Sequence, residues 1–349
     1  MGRTLVVMKI CADELAANGA GGAVPVSRGR PLGTRLLGRA ADRRGVRSGR
    51  HRHSNISALE RQRRRAGRVF VIPVVLISVA IVGVPAVQAA YYSLTQWNGL
   101  TSFFIGFQNY TTGILRDPNI TQILTNNGII LASIPVGVFC SLVAAGVLTR
   151  IGRSSRFFRS VFFLPVAVSW VAIAVAAQGL LSYTGGLNDV LRFVGLNGLQ
   201  RDWLGEPMTA LVAVVFTFNW AVFGLNTVIL YAGMSAVDPS LHEAAELDGA
   251  GSIATLWHVT LPLIRRFIDL AIVITVVTAL TQIFALIFVM TGGGPGYATT
   301  TLEFALYEDA FTNGSFGLAA AIGIVLLLVT IVVAGLSMRS GIKSGEHAL

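Results

Sequence analysis

Apolar residues in this chain neither alternate nor keep to one helical face; they run in long blocks separated by short polar and charged segments. Six stretches contain no Asp, Glu, Lys or Arg and are long enough to matter: 69–115, 118–149, 160–188, 207–237, 270–302 and 310–338. A helix needs about 20 mostly apolar residues to cross a bilayer, and a charge at its centre costs at least about 2.5 kcal/mol. Each stretch therefore predicts one crossing, with helices near 69–92, 125–148, 160–182, 208–233, 268–291 and 316–338. The longest stretch is not two crossings, because its second half from Ser93 (SLTQWNGLTSFFIGFQNYTTGIL) is too polar and glycine-rich to face lipid. A barrel is excluded, since no segment shows in-out alternation and each is apolar on all sides. The predicted class is an all-α membrane protein with six transmembrane helices.

Composition agrees with this. The chain is 53% hydrophobic and 13% charged, with a mean hydropathy of +0.67, against about 25% charged in a soluble domain. The formal net charge of +10 is concentrated at one end: residues 1–68 hold 16 Lys/Arg and 4 Asp/Glu, the rest 11 and 13. The chain thus divides into an Arg-rich tail (1–68), expected to be disordered, and a six-helix domain (69–349). The tail reads as a solvated extension, or as a segment attracted to anionic lipid headgroups. No aromatic platform accompanies its arginines, so nucleic acid is not an expected partner. Cys11 and Cys140 make no disulfide framework.

An even number of crossings leaves both termini on one side. Cytoplasmic termini put Arg150, Arg153, Arg156 and Arg159 inside with the tail and leave Arg116, Arg192 and Arg201 outside, the orientation that the positive-inside rule selects.

Catalytic chemistry is missing. There is no Gly-x-x-x-x-Gly-Lys-Ser/Thr loop, so this chain does not itself cradle a nucleoside triphosphate. His242, His258 and His347 stand apart from any ligand set; neither a metal nor an enzyme activity is expected. Span interiors lack the ionisable groups of ion-coupled transporters, apart from Asp269 at a cytoplasmic end. Their polar groups are amides and hydroxyls. Asn219, Asn226, Thr278 and Gln282, with the ring of Trp220, are candidates for a path taken by a neutral, hydroxyl-rich solute. The bland alternative is hydrogen bonding between helices, worth about 0.6 kcal/mol each. As a set they favour a transporter whose energy comes from another protein.

The segment from Ala236 to Arg266 is the most informative. Its start carries two helix-initiation registers: Asp238-Pro239 as N-cap and first position, and Ser240-x-x-Glu243 as a capping box. Leu241, Ala244, Ala245 and Asp248 follow at helical spacing, Gly249 and Gly251 end the helix, and Pro262 ends the next segment before the fifth span. This predicts a short surface helix, held between two spans and presenting Glu243, Ala244 and Ala245 to a partner's groove.

Glu243-Ala244-Ala245, Asp248-Gly249, Val259 and Leu261-Pro262 together resemble the EAA signature of binding-protein-dependent ABC importer permeases, with Val259 where Ile is usual. Further segments are similar to the carbohydrate, or maltose-type, members. These are Gly106-Phe107-Gln108-Asn109-Tyr110, Phe158-Arg159-Ser160 to Pro165, Gly186-Leu187-Asn188, and Thr291-Gly292-Gly293-Gly294-Pro295 with Ala298-Thr299. Ala285 stands where members often carry an acidic residue. The resemblance covers roughly residues 70 to 340 and implies the type I ABC importer permease architecture with a cytoplasmic coupling helix. It further implies a bacterial inner-membrane location, a second homologous permease subunit, and an extracytoplasmic substrate-binding protein. Two ATP-binding cassette subunits would bind ATP and Mg, leaving this chain without a cofactor. Glu243, Ala244, Ala245, Asp248, Gly249, Leu261 and Pro262 would couple it to the ATPases, and Gly293, Gly294 and Pro295 would form an outer loop motif. Import of glycerol phosphate or a polyol on the same architecture, and a non-transporting scaffold, remain the alternatives.

Overall fold

The computed structural model describes residues 72–151 and 155–343. The Arg-rich tail, the tail histidines and Cys11, Arg153 and His347 lie outside the described residues. Continuous apolar sequence has produced helices throughout, because in lipid a backbone can satisfy its amides only within the segment or in a closed barrel.

The first crossing, α1 (Ile72–Tyr92), buries none of its residues and leans on the final helix by its second half. Beyond it the polar half of the first long stretch is not a helix. It forms a small antiparallel hairpin, β1 (Thr95–Trp97) and β2 (Ser102–Phe104), paired Thr95 to Phe104. The hairpin turn is held by Asn98, whose Oδ1 accepts the amides of Leu100 and Thr101 at 3.0 and 2.8 Å, while Gly99 takes φ +91°. Trp97 stacks on Tyr92 at 4.1 Å between centroids.

Helix α2 (Ile120–Arg150) and α6 (Pro207–Ser235) pack along one another and form the centre of the bundle. Their shared face buries Ile130, Ile134, Leu148, Val214, Phe218 and Leu230. The third crossing departs from expectation. Instead of one helix over 160–182 there are two, α3 (Ser155–Ala167) and α4 (Trp170–Leu181). Pro165 removes a main-chain donor near the end of α3. Ser169 then leaves the helix (φ −67°, ψ 149°) and caps α4, its Oγ accepting the Ala172 amide at 3.3 Å. A short helix α5 (Gly186–Phe193) completes that connection.

Between α6 and the fifth crossing lie α7 (Pro239–Leu247) and a run of helical turns from Ser252 to Leu263. The fifth crossing begins at Arg265, before the expected 268, and is also broken. Helix α8 (Arg265–Thr281) and α9 (Phe284–Met290) meet at 52°. A loop, then α10 (Leu302–Tyr307), leads to α11 (Phe316–Lys343). Among the described residues five helices meet the length and composition of a crossing, and the bent α8–α9 pair raises this to six.

Candidate functional site

Local geometry settles the two starting registers of the 236–266 segment. Asp238 is the N-cap: it leaves the helix (φ −62°, ψ 125°), and its Oδ1 accepts the Ser240 amide at 2.9 Å, with Pro239 in the first turn. That main-chain hydrogen bond holds the Asp238 carboxyl below the usual carboxylate range. The capping box offered by Ser240 and Glu243 does not form, because the helix has already begun two positions earlier, at Pro239 with Asp238 as its cap.

The end of α7 is a Schellman motif. Asp248 is the last near-helical residue, Gly249 takes φ +81°, its amide donates to Glu246 O at 3.0 Å, and the Ala250 amide returns to Ala245 O at 2.9 Å. Both bonds satisfy carbonyls that the helix end would orphan. A Cβ at Gly249 would meet nothing within 4 Å, so it is the backbone angle, rather than space, that requires glycine.

What α7 displays differs from expectation. Glu243 and Ala244 are exposed, but Ala245 is buried (9% accessible), because it turns toward the returning chain. His242 lies on the same inner side, with Nε2 3.3 Å from Thr260 Oγ1. The exposed apolar residues that the sequence reading missed are Leu247, 90% accessible, and Trp257 and Leu263 on the returning turns. Pro262 is also placed differently: it sits inside a helical turn, Leu261–Leu263, and the segment ends at Ile264. The missing proline amide is accommodated by a π turn over Leu256–Thr260, in which Leu261 donates to Leu256 O. A cleft of about 930 Å³ opens between this segment and the end of α2, lined by Val147, Arg150, Tyr231, His242, Glu246 and Thr260 among others.

The candidate path residues divide. Asn226 is buried (1%) and exchanges hydrogen bonds with Thr275 across α6 and α8, at 3.0 and 3.1 Å. This is interhelical bonding, and it removes Asn226 from an open path. Asn219 donates to Ser133 Oγ on α2 at 2.8 Å, while its Oδ1 is buried without a partner. Thr278 donates to Ile274 O on its own helix at 2.8 Å. Trp220 and Gln282 are exposed, and Gln282 stands at the α8–α9 break.

At the opposite end of the bundle the glycine motif is a tightly tied loop. Gly292, Gly293 and Gly296 have positive φ, and Gly294-Pro295 is cis. Thr299 Oγ1 donates to Gly294 O at 2.9 Å, and Thr300 Oγ1 to Gly293 O at 3.0 Å. Asn126 of α2 donates to the carbonyls of Tyr297 and Thr300, both at 2.9 Å. Two other amides work alike: Asn109 on the Ser93 and Thr95 carbonyls at 2.8 and 2.9 Å, and Asn188 on those of Tyr183 and Arg201 at 2.9 and 2.7 Å. The motif residues at 109 and 188 are thus anchors for connecting loops.

A helical bundle with five or six helices long and apolar enough to cross a membrane, and a short exposed helix between two of them, is the architecture of a multi-pass membrane protein. Residues 133–339 match the family described as binding-protein-dependent transport system inner membrane component. The probable ABC transporter permease protein YurN of Bacillus subtilis is 36% identical over 285 residues, covering 80% of this chain and 96% of that protein. The multiple sugar-binding transport system permease protein MsmF of Streptococcus mutans is 29% identical, covering 78% and 94%. A crystal structure of a bacterial ABC transporter that imports the acidic polysaccharide alginate contains a chain of the same fold, with TM-score 0.70, 19% identity, and coverage of 84% and 100%. The chain belongs to the binding-protein-dependent ABC importer permeases, and its own part is translocation.

Proposed function

We propose that this permease carries a neutral sugar or sugar derivative into a bacterial cell, driven by ATP hydrolysis on two partner subunits and paired with a second permease. ATP and Mg belong to those partners. The observation that carries the reading is α7: a short, exposed helix fixed at both ends, by Asp238 and by the Gly249 motif. A rigid lever of this kind converts the movement of a docked ATPase into rotation of the α6 and α8 spans, a rigid-body switch between two states. Glu243, Ala244, Asp248 and Gly249 form its exposed surface, extended by Leu247, with Ala245 turned inward; Leu261 and Pro262 follow on the returning turns that lead into α8. A sugar cargo is supported by the likeness to a multiple-sugar permease and by Trp220 and Gln282, the candidate path residues that stay exposed. The six charge-free stretches supply no cation for a phosphate, which weighs against glycerol phosphate.

The test is a reconstituted complex with its binding protein. Loaded binding protein is expected to stimulate ATP hydrolysis and solute uptake together; a scaffold subunit would give neither. The proposed orientation puts both termini in the cytoplasm and the glycine loop outside. A cysteine replacing the accessible Tyr297 is then expected to react with a membrane-impermeant reagent in intact cells. Reaction only after lysis would reverse the orientation.

A further inference from the structure

The fifth crossing bends by 52° at Gln282–Ile283, yet no glycine or proline lies between Thr278 and Met290 to cause it. A break frees main-chain amides that the preceding turn would have bonded. Here the Phe284 amide donates to Glu303 Oε2 at 2.9 Å, and Glu303 belongs to a different element, α10. The Ile283 amide borders the same carboxylate. Ala285, the second residue of α9, supplies no acidic group of its own. The surroundings are apolar and aromatic: the Phe284 ring lies 4.9 Å from Tyr307 and 6.2 Å from Phe304. Burial pushes Glu303 up to about 7, outweighing the two amides that pull it down.

Among the described residues no other charge bears on its carboxyl. Helix α9 has no titratable residue, α8 offers Thr278 and Thr281 on its last turns, and α2 carries its only charge at Arg150, at the far end. Helix α11 has none as far as Gly335, and on α10 itself only the Tyr307 phenol titrates, before Glu308 and Asp309 on the next turn. A glutamine would reach the same amide without the desolvation. A carboxylate kept in such surroundings, at the bend of a moving span, is where perturbed groups serve function.

We propose that Glu303 is a positioning residue of the transport cycle: as a carboxylate it holds the bend between α8 and α9, and its protonation slackens that bend. This rests on the importer reading above. Because the folded chain holds the Glu303 proton more tightly than the unfolded chain, the residue lowers stability most above pH 7, and the loss is recovered as pH falls toward the ordinary carboxylate range.

The test is Glu303→Gln in the reconstituted complex. Wild-type uptake is expected to drop about fivefold from pH 8 to pH 6, the margin of a charge-assisted over a neutral hydrogen bond. The variant is expected to be flat over that range, at the low-pH rate, and to melt at a higher temperature than wild type at pH 8. That melting gain follows from desolvation alone; a purely structural glutamate would share it but would leave wild-type uptake as flat with pH as the variant's. A spin label on Thr281→Cys, exposed beside the bend, with Cys11 and Cys140 replaced by serine, reads the bend without reference to uptake. Its mobility is expected to change with a midpoint near pH 7 when Glu303 is present and to stay constant in Glu303→Gln. A label insensitive to pH beside Glu303, or a variant that keeps the wild-type pH profile of uptake, overturns the proposal. A pH-sensitive label in a complex that takes up nothing would sink the importer reading and leave the latch in place.

Discussion

A Gly249→Val variant is expected to lose at least about tenfold in uptake while inserting and folding normally. Gly249 has φ +81°, a region that costs an L-residue roughly 1–2 kcal/mol, and a β-branched side chain suffers most there. A factor of ten corresponds to about 1.4 kcal/mol, so the strain alone is enough to depopulate the α7 terminus. With it go the two hydrogen bonds from Gly249 and Ala250 to Glu246 and Ala245, and the helix end loses its fixed direction. No neighbour lies within 4 Å to be displaced, so the rest of the fold has no reason to respond. Uptake measured beside co-purification of the ATPase subunits checks this. Wild-type uptake with full ATPase retention would remove α7 from the mechanism.

The largest expected effect on the fold is at Gly224. A Cβ there would run into the main-chain carbonyl of Phe162 on α3, a backbone contact that cannot rotate away. Small residues are what let membrane helices approach so closely. Gly224→Val is expected to cost at least the upper end of the roughly 1–3 kcal/mol typical of overpacking, and to leave little monodisperse protein after extraction. Gly128→Ala is the matched control, since a Cβ at Gly128 meets nothing within 4 Å and alanine favours the helix. Equal yields from the two variants would refute the close α3–α6 contact.

The crossings were legible in the sequence because charge exclusion is a one-dimensional property. So was the end of α7 at Gly249, while its start was legible only as two registers, of which the structure takes the one capped by Asp238. The breaks were less so. The one at Ser169 has local signals in Pro165 and the serine cap, which a continuous apolar count overlooks. The one at Gln282 has none, since it is tied to Glu303, a residue from another helix. The hairpin was not anticipated beyond the polarity of its segment, because its strands are three residues each and too short to read as strands. The inward turn of Ala245 and the pairing of Asn226 with Thr275 depend on which helix lies alongside. Spacing alone does not contain that.

Asn109, Asn126 and Asn188 tie down three connecting loops by bonding main-chain carbonyls. Every residue type offers the same carbonyl, so the tethers specify a path for the chain and leave the identity of the side chains along it unassigned. Tyr297 illustrates this: its carbonyl is held by Asn126 while its ring is 39% accessible. Such a loop is free to diverge in composition over evolutionary time without loosening its anchorage, so the surface it shows can change while the scaffold beneath it stays the same.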